Sequence, residues 1–279
     1  MKVALEKVIE NAAKVIPQNA EDYLDEESGL LFCGQCHTPK QCRIFPFGRE
    51  RLVSCLCQCG REKRNAEEAA QREKERLERI GRLKANALQN AAFHAYTFDK
   101  DDGHNPAIRY ARNYVEHWRE FLQRGQGLLF WGSVGTGKTF AAACIANALV
   151  EQCVPVLMTN FARILNSLSG LYSEDKNTYL ASLNQFSLLI IDDLGIERNS
   201  EYALEQVYNV VDSRYLSGLP FIITTNLSIS DLKSPKDLAH ARIYDRVLER
   251  CVPICFSGRN YRKDSSAVNK NEAARLLKE

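Results

Sequence analysis

The chain has 279 residues, 45% of them hydrophobic and 26% charged, with a formal net charge of +2. This length suits one large domain or two smaller ones, and the composition excludes wholesale disorder. No apolar run approaches the ~18–20 residues that span a bilayer, and the near-neutral charge by itself points to neither nucleic acid nor a membrane surface.

Residues 1–29 place Val3, Leu5, Val8, Ile9, Ala12, Val15 and Ile16 loosely at helical spacing, which predicts a short amphipathic helix ended by Pro17. Within the first 30 residues Lys2, Lys7 and Lys14 stand against seven acids, with no clean apolar stretch. That is not a secretory leader, so the cytoplasm is the expected compartment.

Six of the ten cysteines lie between Cys33 and Cys59. Without an export signal, paired cysteines at short spacing read as metal ligands before disulfides. Cys33 and Cys36 form a C-x-x-C knuckle after Leu30-Leu31-Phe32, and Cys55, Cys57 and Cys59 supply the second half. The 20 residues between Cys36 and Cys57 suit a four-cysteine zinc site. The expected Zn²⁺ ligands are Cys33, Cys36, Cys57 and Cys59. Cys55 is the substitute, Cys42 a bystander and His37 a competitor; a redox pair or an iron–sulfur cluster is the alternative chemistry. Residues 40–64 carry seven basic and two acidic side chains, with Phe45 and Phe47 among them. Such a mix suits single-stranded nucleic acid or protein docking equally. The remaining cysteines, Cys144, Cys153, Cys251 and Cys255, lie in apolar surroundings and are expected to be buried packing residues.

Residues 61–92, rich in Glu, Lys, Arg and Ala and without proline, predict a solvated, charge-laced linker helix. From Phe93 to about residue 265, short apolar strands alternate with amphipathic helices. The predicted strands are Gly127–Trp131, Val154–Met158, Ser187–Ile191, Pro220–Thr224 and Val252–Phe256, with helices such as Thr139–Cys153 and Ala203–Leu216 between them. This pattern implies an α/β fold whose parallel sheet is covered on both faces. The organisation expected is thus a Cys-rich region over 1–60, a linker over 61–92, an α/β core over 93–265 and a tail over 266–279.

Gly132-Ser133-Val134-Gly135-Thr136-Gly137-Lys138-Thr139 fits G-x-x-x-x-G-K-[ST] between a predicted strand and a predicted helix. Glycines let the backbone curl its N–H groups around phosphate, and the helix start adds partial positive charge. Lys138 supplies a point charge for the β- and γ-phosphates, and Thr139 a hydroxyl for Mg²⁺. The expected ligand is therefore ATP with Mg²⁺. About fifty residues later, Leu188-Leu189-Ile190-Ile191 ends in Asp192, the expected Mg²⁺ partner, and Asp193, the candidate general base. Because Asp is shorter than Glu, turnover is expected to be slow. Ile222-Ile223-Thr224-Thr225-Asn226 offers a γ-phosphate sensor at Asn226, if its strand lies between the phosphate-loop strand and the acidic strand. Arg242, Arg246 and Arg250 share one helical face. Arg246, with Arg242 second, is the candidate for stabilising phosphate charge in a neighbouring subunit. Arg262 is the candidate for touching the same subunit's phosphates.

In this order, these segments resemble the AAA+ ATPases of the DnaC-type helicase loaders and the IstB-type transposition helpers, over about residues 93–263. The cysteine region resembles the zinc-bearing front ends of some loaders. The resemblance implies a P-loop NTPase core that assembles as an ATP-dependent homo-oligomer on a hexameric replicative helicase. It also implies delivery of that helicase to single-stranded DNA with ATP as a timing switch, a minimal helical lid, and an adenine contact at Phe98. The alternatives are a transposition helper, which would act on duplex DNA and a transposase, and a nucleotide-holding zinc adaptor without turnover.

Overall fold

The computed structural model describes residues 19–195, 201–235 and 237–263, together with 275 and 277. The helix expected ahead of Pro17 falls outside them, as does the tail after residue 265 apart from those two residues. The chain divides into two compact units, 1–77 and 78–279. The division falls inside the charged helix, whereas the sequence pattern puts boundaries at residues 60 and 92.

In the first unit, β1 (Tyr23–Leu24) pairs antiparallel with β2 (Leu31–Phe32), and β3 (Gln41–Ile44) with β4 (Arg51–Ser54). Pro46–Gly48 turns the second hairpin. Few of its described residues are buried and apolar: Leu31, Cys33, Val53 and Cys57. A piece with so small a core needs another source of order. One polar tie is the ion pair of Lys40 with Asp22, both almost wholly buried.

The helix α1 (Gln58–Ala87) begins in this unit. Its early turns carry solvent-exposed pairs such as Arg64–Glu68 and Arg72–Glu68, as the charge pattern predicts. Its last turns differ from a solvated connector. Ile80 and Ala87 are buried in the core of the second unit, and Leu88 beyond them bridges to Met158.

The second unit is an α/β layer structure. Short helices α2 (Ile108–Glu116) and α3 (Trp118–Arg124) precede β5 (Gly127–Trp131) and α4 (Lys138–Glu151). Then come β6 (Val156–Asn160), α5 (Phe161–Ser169), α6 (Ser173–Leu183), β7 (Leu188–Leu194), α7 (Glu201–Leu216) and β8 (Phe221–Thr225). Helices α8 (Ile229–Lys233) and α9 (Leu238–Arg250) lead to β9 (Cys251–Cys255). The five strands are parallel, in the order β6-β7-β8-β5-β9. The alternating pleat sends Leu128, Phe130, Ile190 and Ile222 to one face, against α2 and α4. Leu129, Leu189, Ile191 and Ile223 go to the other, against α5, α7 and α9. Both faces are thus dry, which is why these strands read as continuous apolar runs.

The first predicted strand matches β5 residue for residue. The second starts two residues later than predicted, because Pro155 lacks an N–H for the ladder and Asn160 closes the strand by capping α5 through the Arg163 N–H at 2.9 Å. β9 is an edge strand that tolerates Pro253. The edge also exposes Cys255, and Cys153 is half-buried, so of the four isolated cysteines only Cys144 and Cys251 are the buried packing residues expected. Among the described residues no helix is long and apolar enough to cross a membrane.

Candidate functional site

β5 hands the chain to a loop, Gly132–Gly137, whose backbone calls for glycine at three positions. Gly132, Gly135 and Gly137 have φ of 129°, 81° and 97°. A Cβ on Gly132 would stand 2.2 Å from the Phe256 carbonyl oxygen, and one on Gly135 2.2 Å from Asn260 Oδ1. The loop is clamped from outside. Tyr261 N–H donates to Gly135 O (2.9 Å), Asn260 Nδ2 to Val134 O (3.0 Å), and the buried Asn105 Nδ2 to Thr136 O (2.8 Å). No side chain caps the start of α4 at Gly137, so its first N–H groups remain for an anion.

Lys138, the first residue of α4, is buried, and its Nζ donates to Gly132 O, Ser133 O and Asn226 Oδ1, each at 2.8 Å. Burial pushes its pKa below the ordinary lysine value, against the pull of Asp193 and Asp192. Thr139 Oγ1 reaches both oxygens of Asp192, at 3.0 and 3.1 Å. β8 lies between β5 and β7, as the Asn226 reading required. From β8, Thr224 Oγ1 donates to Asp192 Oδ1 (2.6 Å) and accepts the Asp193 N–H (2.9 Å). Asp192 is 9% exposed. Desolvation, aided by the Asp193 charge, raises its pKa against the pull of the two hydroxyls. At Asp193 the ladder slips between Ile191 and Leu194, and φ is +61°. A non-glycine residue held left-handed is strained, and such strain gathers at functional sites.

These groups face one cavity of about 1170 Å³, lined by Val134–Phe140, Asp192, Asp193, Asn226, Tyr261 and Arg262 on one side and by Asn90, Phe93, Tyr96 and Asp101 on another. The donor set fits a magnesium-bound triphosphate: backbone N–H groups, one lysine, and a hydroxyl beside a carboxylate suited to a hard cation. Arg262 stands in the wall. Phe98 does not; its ring packs under the Arg112 guanidinium, 4.8 Å from the centroid. Phe93 and Tyr96 hold the aromatic positions of the cavity instead, with their carbonyls fixed by Asn147 Nδ2 at 2.9 and 2.8 Å. Arg246 turns inward to α7. Its Nε meets Asp212 Oδ1 at 2.6 Å, and its guanidinium stacks on Tyr208. Arg242, one turn earlier, is exposed.

Thr224, Asn105 and Asn260 escaped sequence reasoning. No spacing rule marks them, and only the Thr-Thr-Asn end of β8 gave a hint.

In the first unit the thiols of Cys33, Cys36, Cys57 and Cys59 lie within 4.8 Å of one another. The Cys57–Cys59 and Cys33–Cys59 sulfur separations are 3.3 and 3.6 Å. Sulfurs at the ~2.3 Å bonds of a zinc tetrahedron would sit about 3.8 Å apart, so the set suits that ion. Within the cluster the Cys59 N–H and the Thr38 hydroxyl pull the Cys36 thiol down to about 5, while hydrogen bonds with the Cys57, Cys36 and Cys33 sulfurs push the Cys59 thiol up to about 12; a metal ion would favour the thiolate at all four. Cys55 stands outside the group, its Sγ 3.5 Å from Pro39 O.

A family model described as IstB-like ATP binding protein matches residues 62–269. The chain is 30% identical over 178 residues to the replicative helicase loader DnaC of Escherichia coli K12, covering 62% of this chain and 70% of that one. It is 30% identical over 167 residues to the replicative helicase loader DnaI of Bacillus subtilis 168, covering 53% of each. A crystal structure of DnaI superposes with a TM-score of 0.52 at 25% identity, over 63% of this chain and 96% of that one. The family match, running from the charged helix to beyond Arg262, makes this chain a member of the IstB-like ATP-binding protein family, with DnaC-type helicase loaders among its relatives.

Proposed function

We propose that the chain is an ATP-driven loader that delivers a hexameric replicative helicase to single-stranded DNA in the cytoplasm, assembling as a homo-oligomer to do so. The observation that carries the reading is the position of Lys138, whose ammonium joins the phosphate loop to Asn226 across the sheet. Triphosphate oxygens compete for that ammonium. Binding therefore frees Asn226, at the C-terminal end of a core strand, to act on the γ-phosphate or the attacking water. This links occupancy of the loop to the conformation of β8 and of α8 beyond it.

Thr139 and Asp192 would hold Mg²⁺, which when bound neutralises phosphate charge and polarises the γ-phosphoryl group. Asp193 orients the attacking water and accepts its proton, slowly for want of reach. Arg262 meets phosphates of its own subunit. Arg246 reaches a neighbour's phosphates only by exchanging Asp212 for them, whereas Arg242 reaches outward without that exchange. Cys33, Cys36, Cys57 and Cys59 hold a structural Zn²⁺ that organises the first unit.

The test is Lys138→Ala. The variant is expected to show no calorimetric heat with ATP and Mg²⁺ and to leave the helicase off single-stranded DNA. Wild-type delivery by this variant would sink the reading. The IstB-like family match favours a second reading, a transposition helper. Recovery of a transposase rather than a helicase on ATP-dependent affinity purification would establish it.

A further inference from the structure

We propose that the tip of the β3–β4 hairpin is a contact for single-stranded nucleic acid, with Phe45 and Phe47 stacking on bases and Arg49 and Arg51 meeting phosphates. The inference deepens the reading of the chain as a protein that works on single-stranded DNA and rests on it. Phe45 is 67% and Phe47 63% exposed, although burial would stabilise both rings. The turn that presents them is fixed. Pro46 sets its start, the Arg49 N–H closes on Pro46 O at 3.2 Å, and Phe47 sits at φ 55°, a conformation that phenylalanine rarely adopts. The two-stranded ladder below is in register from Ile44↔Arg51 to Gln41↔Ser54. Its base is tied beside the thiol cluster, where the Cys55 N–H donates to Lys40 O at 2.7 Å.

Charge decides the occupant. Arg43 is satisfied by Glu50 and by Ser28 O. Glu50 is the only acid of the hairpin, and that pair uses it. Arg49 and Arg51 are exposed and form no ion pair among the described residues. Two guanidinium groups with no acid partner among the described residues, beside the exposed ring of Phe45, complement a polyanion whose bases are unpaired. Duplex DNA hides its base faces, and an apolar protein groove would leave both cations without partners.

The experiment is fluorescence anisotropy of labelled oligothymidylate with the full chain, with zinc content and far-UV circular dichroism as controls for folding. Phe45→Ala/Phe47→Ala is expected to weaken binding on the order of tenfold or more while keeping the metal. Arg49→Gln/Arg51→Gln is expected to lower the salt slope by about 0.7 per arginine. Wild-type affinity and slope in both variants would overturn the inference while leaving the single-stranded DNA reading intact. Retained DNA affinity with lost capture of a helicase would also overturn it, marking the tip as a protein-docking surface. Absence of oligonucleotide binding by the wild-type chain would end both readings.

Discussion

Asp192 is a carboxylate held at a cost. Desolvation raises its pKa from 3.8; the Thr224 hydroxyl lowers it, Asp193 raises it again, and the Thr139 hydroxyl offsets part of that. Well below pH 3.8 the group is neutral folded and unfolded, and its burial as an ion costs nothing. As pH rises through that value the unfolded chain ionises first. Stability then falls until the raised folded pKa is passed, and above it the penalty is constant. Asp192→Asn keeps an oxygen for the two hydroxyls and removes the charge. In the absence of nucleotide the variant is expected to gain roughly 1 kcal/mol at neutral pH, a Tm rise of about 2–4 °C. The gain should shrink as the buffer approaches pH 4, and Mg²⁺-dependent ATP binding should be lost. A lower Tm at neutral pH, measured by calorimetry across that pH range, would mean that the carboxylate supports the fold rather than burdening it. The residues whose spacing the chemistry imposes, Gly132 through Thr139 and Asp192, were legible for this reason: the phosphate cradle dictates their order along the chain. Thr224 was not, because holding both acids depends on β8 lying beside β7, which is a property of topology. Phe98 misled because its segment is irregular: its ring packs under Arg112, and Phe93 and Tyr96 line the cavity instead.

Besides its apolar packing, helix α7 is tied to the strand entrances by one buried arginine. Arg214 is 1% exposed and donates to Pro220 O at 2.8 and 3.2 Å, to Phe186 O at 2.9 Å and to Ser187 O at 3.0 Å. These partners are all carbonyl oxygens, between the end of α6 and the entrances of β7 and β8, the two strands that lead to Asp192 and Asn226. Arg214→Leu would leave those carbonyls buried and unsatisfied, at a cost of roughly 3 kcal/mol, or about 6–12 °C in Tm. Arg214→Lys should recover little, since a point charge cannot span divergent acceptors as a planar fork does. Urea denaturation of the two variants checks this; near-wild-type midpoints would show that water replaces the guanidinium. The composition pattern located α7 within two residues of its N-terminal end. It gave no sign that the arginine near its C-terminus was internal, because an isolated charge in a helix reads as surface until the neighbouring strands are placed.

The two units owe their order to different physics, which separates their responses. Unit 78–279 buries continuous apolar strands between helices, so its stability is hydrophobic and sensitive to whatever binds the phosphate loop. Among its described residues unit 1–77 has little to bury, and four thiols converge beside its two hairpins at the start of α1. Where ligands must assemble for a metal to bind, the free energy of binding is free energy of folding. Zinc-loaded protein is therefore expected to contain about one zinc per chain and to melt in two calorimetric transitions. A zinc chelator should abolish only the smaller. ATP with Mg²⁺ should raise only the larger, by about 2.7 kcal/mol at a hundredfold excess over Kd, and Lys138→Ala should remove that shift without touching the zinc-dependent transition. Chelation that unfolds the sheet unit, or nucleotide that stabilises both units together, would show that the cysteine cluster and the phosphate loop belong to a single cooperative structure. Two independent transitions would instead mean that the front unit is a separately folded module, whose surface chemistry is set by its own hairpins rather than by the state of the nucleotide.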